Sequence, residues 1–373
     1  MIGVSTIGNA TLIAYDSKPV LATDPWFGDT DPAYFGSWVA SHVFPENLKQ
    51  DVFNSEYIWF SHGHPDHINS ASLKKLYGKK ILLPDHVGSR ICEELIQKKY
   101  SVDILPDRKW VQLSKNIKVM CITTVIQDAI LLVDVNGKLF VNLNDAGSRH
   151  CTKFIRKIVK GYSQSYLLSL AGYGDADMIN FYNNNHFILP LAANKSPCGE
   201  SYNYHMKKWN CNYAIPFSSM HSYIREDSIK MNEFTTPLNL HYENFNQKDG
   251  NLLPAFIRWN CEKNDFSEIN PKKNIEEIRT ALDFGDNWSD ELESSDERDL
   301  NDYFQKFYHL KKKFGFINFR IGNKDFNIKL SNRKEGIKIE TPRNSLIFAI
   351  KNNIFDDILI GNFAKFELIN VPS

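Results

Sequence analysis

The chain has 373 residues, which is enough for one large domain or two modest ones. Its 44 Lys and Arg residues balance its 44 Asp and Glu residues, so no net charge favours nucleic acid or an anionic membrane as a partner. No apolar run approaches the length of a membrane span, the first residues carry no basic segment typical of a secretion signal, and the 6 cysteines include no CxxC pair. We therefore expect a cytoplasmic protein with free thiols.

The first hundred residues predict alternating strands and helices. Apolar segments at 11–15 and 20–23, joined by turn residues, predict a β-hairpin. The aromatic and glycine-containing stretch 27–50 is predicted to be a loop over a site. The elements predicted to follow are a strand at 57–60, a helix at 70–76, a strand at 81–84 and a helix near 90–99.

The middle of the chain predicts a second sheet. Asn136 and Gly137 lie between two apolar runs, which is typical of a hairpin with a type I′ turn. Because strand and helix patterns occur in two broadly similar halves, the sequence predicts an α/β protein built as an αββα sandwich. The strands predicted here lie at 111–113, 117–123, 129–135, 139–143 and 166–171, with a helix at 147–160.

The last third of the chain has a different character. An acidic run extends from Asp286 to Asp299, and such a run is usually a solvated face or a flexible connector. Segments beyond it predict a small antiparallel sheet at 314–321, 326–330 and 336–341, then a helix at 343–350. The predicted division is a first domain at 1–262, a polar connector at 263–300 and a small α+β appendage at 301–373.

Residues 61–67 read Ser-His-Gly-His-Pro-Asp-His. Neutral imidazole binds Zn, Fe and Cu, and a carboxylate adds charge or binds a second ion, so this density of His and Asp predicts a transition-metal site. His62 and His64 face the same side of an extended segment and are predicted ligands of one ion. A proline then turns the chain, so Asp66 and His67 are predicted ligands of a second ion. The alternative is an adventitious His-rich turn.

The order His-x-His-x-Asp-His after a strand resembles the signature of the metallo-β-lactamase superfamily. Further segments narrow the resemblance to the metallo-β-lactamase-fold part of the CMP-N-acetylneuraminate hydroxylase family and its bacterial relatives. The resemblance implies a metallo-β-lactamase-like αββα sandwich and, as cofactors, two divalent metal ions, Zn or Fe. The segments that carry it beyond the His loop are 22–26, 142–145, 215–221, 341–346 and 355–363.

The resemblance also implies further metal ligands. The superfamily uses a carboxylate where Asp145 ends a strand, and its two oxygens can bridge two cations. The alternative is an ordinary Asp that caps the next helix. His221 resembles the last His of the metal site, with a packed or surface His as the alternative. Superfamily members place another His where the stretch 123–128 has none, so either Asp128 substitutes or the first ion is undercoordinated.

Other polar residues are predicted around the metals. Asp24, at a strand end, is expected to hold the second ring nitrogen of a ligand His. Asp175 and Asp177 lie in a Gly-rich loop and are predicted to reach the substrate or a metal, with a turn as the alternative. Arg225 is a candidate to bind a phosphate or carboxylate bidentately. Three weaker metal candidates are His150, His186 and His205.

The hydroxylases also carry a Rieske module, whose [2Fe–2S] cluster needs two Cys and two His. This sequence starts at the predicted hairpin and has no Cys-His pairs of that kind. If the chain is an oxygenase, we therefore expect its electrons to come from an external reductase.

Three functions are compatible with these residues. The first is a metal-dependent hydrolase of an ester, phosphodiester or amide, with sugar nucleotides among its candidate small-molecule substrates. Metal-bound hydroxide would form at neutral pH, because metal binding lowers the pKa of water to about 7, and Asp66 would accept or orient the proton. The second is a di-iron oxygenase that hydroxylates a sugar nucleotide. The third is a degenerate metal-binding protein without catalysis.

Overall fold

A computed structural model describes residues 1–373 except 29–31, 148–149, 171–177, 184–185, 196, 219, 276 and 372–373. Its first sheet has eight described strands. The predicted hairpin is present, with Thr11–Asp16 antiparallel to Lys18–Thr23. Lys18–Thr23 then pairs in parallel with Tyr57–Trp59. In spatial order the strands are Asp265–Glu268, Ile257–Asn260, Ile2–Ile7, Thr11–Asp16, Lys18–Thr23, Tyr57–Trp59, Lys80–Pro84 and Ser101–Leu105.

The second sheet contains the predicted meander. Ala129–Val135 pairs antiparallel with both Ile117–Thr123 and Lys138–Asn144, joined to the latter by the predicted Asn-Gly turn. Lys138–Asn144 then pairs in parallel with Ser165–Ser169. In spatial order the described strands are Asn251–Leu252, Tyr213–Pro216, Ser165–Ser169, Lys138–Asn144, Ala129–Val135, Ile117–Thr123 and Trp110–Gln112.

The two sheets pack face to face and carry helices on their outer faces. In strand Ala129–Val135, Leu131 and Val133 enter the core between the sheets, whereas Ile130 and Leu132 enter the core under the outer helices. Both faces are therefore buried, which explains the continuous apolar run. The predicted αββα sandwich is confirmed. Its helices are Glu46–Asn54, Ser70–Lys75 and Arg90–Gln97 over the first sheet, and Thr152–Val159 and Cys198–Trp209 over the second.

A third sheet forms most of the C-terminal part. The prediction of an all-antiparallel sheet is wrong, because Phe316–Ile321 pairs antiparallel with Lys324–Lys329 but in parallel with Gly336–Glu340. After the hairpin formed by the first two of these strands, the chain crosses back, so that Gly336–Glu340 pairs with Phe316–Ile321 on the side opposite Lys324–Lys329. The described strands in order are His186–Phe187, Phe181–Asn183, Lys365–Ile369, Gly336–Glu340, Phe316–Ile321 and Lys324–Lys329. The helices of this part are Ser294–Phe304, Tyr308–Lys313, Arg343–Asn352 and Asp356–Gly361.

This third sheet draws on two distant parts of the sequence. Phe181–Asn183 pairs in parallel with Lys365–Ile369, so a segment from before residue 262 extends the C-terminal sheet. Asp265–Glu268, from the predicted connector, pairs with Ile257–Asn260 in the first sheet. The proposed domain limits at 262 and 300 stay a prediction.

The stretch 27–50 is more ordered than predicted. Trp38–Ala40 pairs with His221–Tyr223 in a two-stranded ribbon, and Glu46 begins a helix that ends at Asn54. Leu48 and Val52 lie one turn apart on that helix and pack against the first sheet. The loop prediction missed this spacing because only two apolar residues carry it.

The acidic run is only partly a solvated face. It contains the helix Ser294–Phe304, which buries Leu300 and Phe304 against the third sheet. Asp286 and Asp296 are 1% and 2% exposed, because each pairs with a buried or half-buried arginine. None of the described helices has the length and apolar character needed to cross a bilayer, and the 6 cysteines are free thiols.

Candidate metal centre

The candidate site lies where the carboxyl ends of parallel strands from both sheets meet. Asp24 follows one parallel strand of the first sheet, and the 61–67 loop follows the neighbouring strand. Asp145 follows a parallel strand of the second sheet. Ligands bind preferentially at this edge of parallel strands, because the connecting loops are free to carry polar groups there.

Backbone contacts hold the His loop in place. The amide of Ser61 donates to Asp24 Oδ1 at 2.8 Å, which pins the start of the loop to the neighbouring strand. The amide of His67 donates to the carbonyl of His64 at 3.0 Å and closes a turn. Asn69 then caps the next helix by accepting two backbone N–H groups. The backbone of the loop that carries the four predicted ligands is therefore held in a fixed conformation.

His67 is fully buried among three carboxylates. Its Nδ1 lies 3.2 Å from Asp24 Oδ2. A carboxylate in this position can hold the second ring nitrogen of a ligand His, and the assignment of His67 as a ligand stays a prediction. Its Nε2 lies 3.4 Å from Asp66 Oδ2 and 3.3 Å from Asp145 Oδ2. Burial lowers the pKa of His67, but the three carboxylates outweigh it and raise this pKa well above its ordinary value. The pocket is therefore strongly cation-attracting.

His62 and His64 form the second half of the site. His62 Nε2 lies 2.8 Å from His64 Nδ1 and 3.9 Å from Asp145 Oδ2. One donor atom from each of the three residues lies within 4.8 Å of the other two. Burial and the neighbouring imidazoles lower the pKa of His62 well below its ordinary value, so this ring is neutral and able to donate a lone pair.

The donor set has the spacing that a divalent metal ion requires. Asp66, His67 and Asp145 also converge within 4.8 Å, so Asp145 belongs to both groups. Neighbouring ligand atoms of a tetrahedral zinc ion lie about 3.4 Å apart, given bonds of about 2.0–2.1 Å. The 3.3 and 3.4 Å distances from His67 Nε2 to the two carboxylates match that spacing. Both exceed most N–H···O hydrogen bonds, whose mode is about 2.9–3.0 Å.

Asp66 is held from two sides by groups that the sequence did not reveal. The hydroxyl of Tyr34 donates to Asp66 Oδ1 at 2.6 Å, and the Asn9 amide donates to Asp66 Oδ2 at 2.8 Å. Burial raises the pKa of Asp66, but His67 and the hydrogen bond from Tyr34 lower it to about 2. The carboxylate is therefore ionised and fixed, which suits a metal ligand better than a proton acceptor.

Asp145 is the most open of the candidate ligands, with 33% of its side chain exposed. Its amide donates to Asn144 Oδ1, and its carboxylate accepts from the Ser218 hydroxyl. Burial raises its pKa, but His67 and His62 lower it far more. A fixed, ionised carboxylate between two imidazole groups is what a bridging ligand requires.

His221 and Asp128 lie near these groups without joining them. His221 stacks on Trp38 with ring centroids 3.5 Å apart, and burial lowers its pKa to about 4 despite the nearby Asp66 and Asp145. Asp128 lines the adjoining cavity. Among the described residues, neither belongs to a group of three donor atoms within 4.8 Å of one another. Their assignment as ligands stays a prediction.

The predicted role of Arg225 is wrong. Its side chain is fully buried, and its guanidinium pairs with Asp227 at 2.9 Å and Asp286 at 2.8 Å. It also donates to the Phe35 carbonyl at 2.7 Å and lies over the Phe363 ring. Because the side chain is 0% exposed and held by these groups, it is not open to a phosphate or carboxylate from solvent.

Asp175 and Asp177 lie outside the described residues. Among the described residues, none of the converging donor groups includes the three weaker candidates, His150, His186 and His205.

Two C-terminal carboxylates reach the site unexpectedly. Asp356 Oδ2 lies 3.2 Å from His64 Nε2, and Asp357 lies beside it with 6% of its surface exposed. His64, Asp356 and Asp357 form a further group of three donor atoms that lie within 4.8 Å of one another. The only sequence signal was the resemblance of 355–363 to the hydroxylase family, which did not indicate a role.

A cavity of about 560 Å³ opens beside His62 and His64. Acidic, basic and apolar side chains share its wall. The cavity lies between the first sheet and the C-terminal part, because its lining includes Leu83 of that sheet and Ile354 of the C-terminal part. Arg90, which also lines it, donates to the Asn352 carbonyl at 3.2 Å. Its other polar lining includes Asp85, His86, Gln127, Asp128, Asp356 and Asp357.

Comparison with known proteins gives the following. No family model matches the chain. The inactive cytidine monophosphate-N-acetylneuraminic acid hydroxylase of Homo sapiens is 26% identical over 132 residues, covering 33% of this chain and 26% of the relative. The hydroxylase of Danio rerio is 21% identical over 299 residues, covering 72% of this chain and 48% of the relative. The matches thus span about half or less of these relatives.

Among solved structures, the metallo-β-lactamase fold protein YhfI from Bacillus subtilis matches with a TM-score of 0.37 and 10% identity, covering 68% of this chain and 95% of that one. The chain is an αββα protein of mixed α/β architecture. It is similar in sequence to the cytidine monophosphate-N-acetylneuraminic acid hydroxylases, as the sequence analysis predicted.

Proposed function

We propose that the chain is a metal-dependent hydrolase with two divalent ions, Zn or Fe, at the candidate site. The observation that carries the proposal is the position of Asp145, whose carboxylate belongs to two donor groups at once. The first ion would be held by His62 and His64, the second by Asp66 and His67, and Asp145 would touch both.

The chemistry divides between the ions and the protein. When bound, two divalent ions supply Lewis acidity and an activated water at neutral pH. Asp24 and Tyr34 keep His67 and Asp66 in fixed orientations. We assign Asp66 the role of ligand and water-orienting group, because a carboxyl with a pKa of about 2 is a weak base.

The cavity beside the first donor pair is the proposed substrate site. It opens directly onto His62 and His64, so a scissile group could approach the ions from this side. Arg90 lines the cavity and would attract a phosphate or carboxylate. Esters, phosphodiesters and amides are the proposed reaction classes, with a sugar nucleotide as the leading small-molecule candidate because the relatives are named for one.

A second candidate function is oxygenation by two iron ions. The sequence relatives named hydroxylases favour it. The same imidazole and carboxylate donors suit iron as well as zinc. In that case a separate reductase would act as the partner that delivers electrons.

The test is metal-specific reconstitution. Chain stripped with a chelator is reloaded with Zn(II) or, anaerobically, with Fe(II), and is assayed for hydrolysis of aryl phosphodiesters, esters and amides and for reductant-dependent O₂ uptake. Hydrolysis that is lost in His64→Ala and retained in His309→Ala, an exposed histidine, supports the proposal. O₂ uptake coupled to hydroxylation would favour the second candidate. Metal binding without either reaction would favour a degenerate binding protein.

A further inference from the structure

The helix Asp356–Gly361 brings a carboxylate from the C-terminal part to the metal centre. Asp356 Oδ2 lies 3.2 Å from His64 Nε2, although the two residues are 292 positions apart. Because His64 Nδ1 faces His62 Nε2 at 2.8 Å, the two nitrogens of this ring point to different partners. The carboxylate contact is therefore on the side of the ring away from the first donor group.

This arrangement repeats the one at His67. There, Asp24 Oδ2 lies 3.2 Å from Nδ1 while Nε2 faces the ligand carboxylates. A carboxylate that accepts the N–H of one ring nitrogen fixes the tautomer, and the other nitrogen keeps its lone pair for a metal. At His64 the same logic places the proton on Nε2 and leaves Nδ1 as the donor.

Several contacts fix the position of the C-terminal helix. The Ser37 hydroxyl donates to the carbonyl of Gly361 at 2.6 Å. The side-chain amide of Asn362 donates to the Tyr223 hydroxyl at 2.9 Å. Both partners belong to the layers around the metal centre, so Asp356 is presented on a fixed element.

We propose that Asp356 is the positioning residue of the first metal site. Its carboxylate accepts the Nε2–H of His64 and thereby directs Nδ1 toward the ion shared with His62. The proposal rests on the proposed function in one respect only, namely that the site binds metal. It makes the C-terminal part a structural component of the centre. Asp357 lies next to it, and a rival arrangement would use Asp356, Asp357 and His64 Nε2 as direct ligands.

The test combines metal affinity with the tautomer of His64. Metal-free full chain is titrated with Zn²⁺ against a chromophoric chelator, which resolves the dissociation constants of both ions. In Asp356→Ala we expect one ion to bind as in the wild type and the other about 10- to 100-fold more weakly. Asp356→Asn should lose less, because its amide oxygen still accepts the Nε2–H. The matched control is Asp325→Ala, which removes an exposed carboxylate of the third sheet.

Imidazole ¹⁵N spectra of the metal-free protein supply the second readout, with His64 assigned from a His64→Gln sample. The spectra are recorded above pH 9, where the ring is neutral, because burial lowers the pKa of His64 but the carboxylates around it outweigh this and raise the pKa to about 9. There we expect Nε2–H in the wild type and a mixture of tautomers in Asp356→Ala. The proposal is overturned by wild-type affinities for both ions in Asp356→Ala, by Nδ1–H in the wild type, or by metal ligation through Nε2. If Asp356→Ala does not fold, Asp356→Leu, which keeps the size of the side chain but offers no hydrogen-bond acceptor, carries the same comparison. Absence of metal binding in the wild type would refute the proposed function, whereas the tautomer measurement would still decide the His64–Asp356 contact.

Discussion

Replacing Arg225 by Met should destabilise the fold strongly. The substitution removes a fully buried cation and leaves Asp286, which is 1% exposed, without its charge partner. Breaking a buried ion pair by removing one partner costs about 3–5 kcal/mol. Asp286 keeps two hydrogen bonds from Ser345, which offsets part of that cost. Loss of the hydrogen bond to the Phe35 carbonyl adds to the cost, so we expect the free energy of unfolding to fall by about 4 kcal/mol.

The assay is urea unfolding at pH 7 followed by tryptophan fluorescence. Trp288 is a local reporter, because its indole donates to Asp227 in the same network. The matched control is Arg258→Met, whose pair with Asp51 spans 3.3 Å but is 38% and 26% exposed, so its loss should cost at most about 1 kcal/mol. A cost below 1 kcal/mol for Arg225→Met would refute the reasoning.

Three further changes test other contacts. Tyr34→Phe removes the hydroxyl that holds Asp66 and should weaken one bound ion about 10-fold in a chelator competition titration, with unchanged affinity as the contrary result. Burial lowers the pKa of His241 to about 4, whereas the unfolded ring titrates near 6.5. The contribution of His241 to the free energy of unfolding should therefore be fully present above pH 6.5 and be lost, by about 3 kcal/mol, as the pH falls through 4. Urea titrations of His241→Gln at several pH values should lack this decrease. In Gly199→Ala the new Cβ would stand 2.2 Å from the backbone oxygen of Glu243, so thermal unfolding should reveal a loss of about 1–3 kcal/mol, and an unchanged melting temperature would contradict it.

The sequence predicted those candidate site residues that lie close together in the chain or at the ends of strands. The density of His and Asp in the loop 61–67 predicted four candidate ligands, and the short apolar strand before the loop predicted their place at a strand end. Asp24 was predicted because it lies at a strand end, and Asp145 because it also lies where the superfamily that the chain resembles has a carboxylate.

Contacts between distant segments were not predictable in this way. Asp356 meets His64 across 292 positions, and only the folded C-terminal part brings them together. Arg225 was misassigned for the same reason, since its partner Asp286 lies in a charged run that resembles a solvated connector. Tyr34 lies in a stretch predicted as a loop, where no periodic pattern marks its hydrogen bond to Asp66.

The most direct test of the central claim is the metal content of the chain with and without Asp145. Purified chain reloaded with Zn(II), dialysed and measured by elemental analysis should hold two ions per chain. Asp145→Ala removes the carboxylate common to both donor groups and should hold at most one. The account is contradicted if the wild-type chain retains no metal, or if Asp145→Ala retains two ions with wild-type affinity.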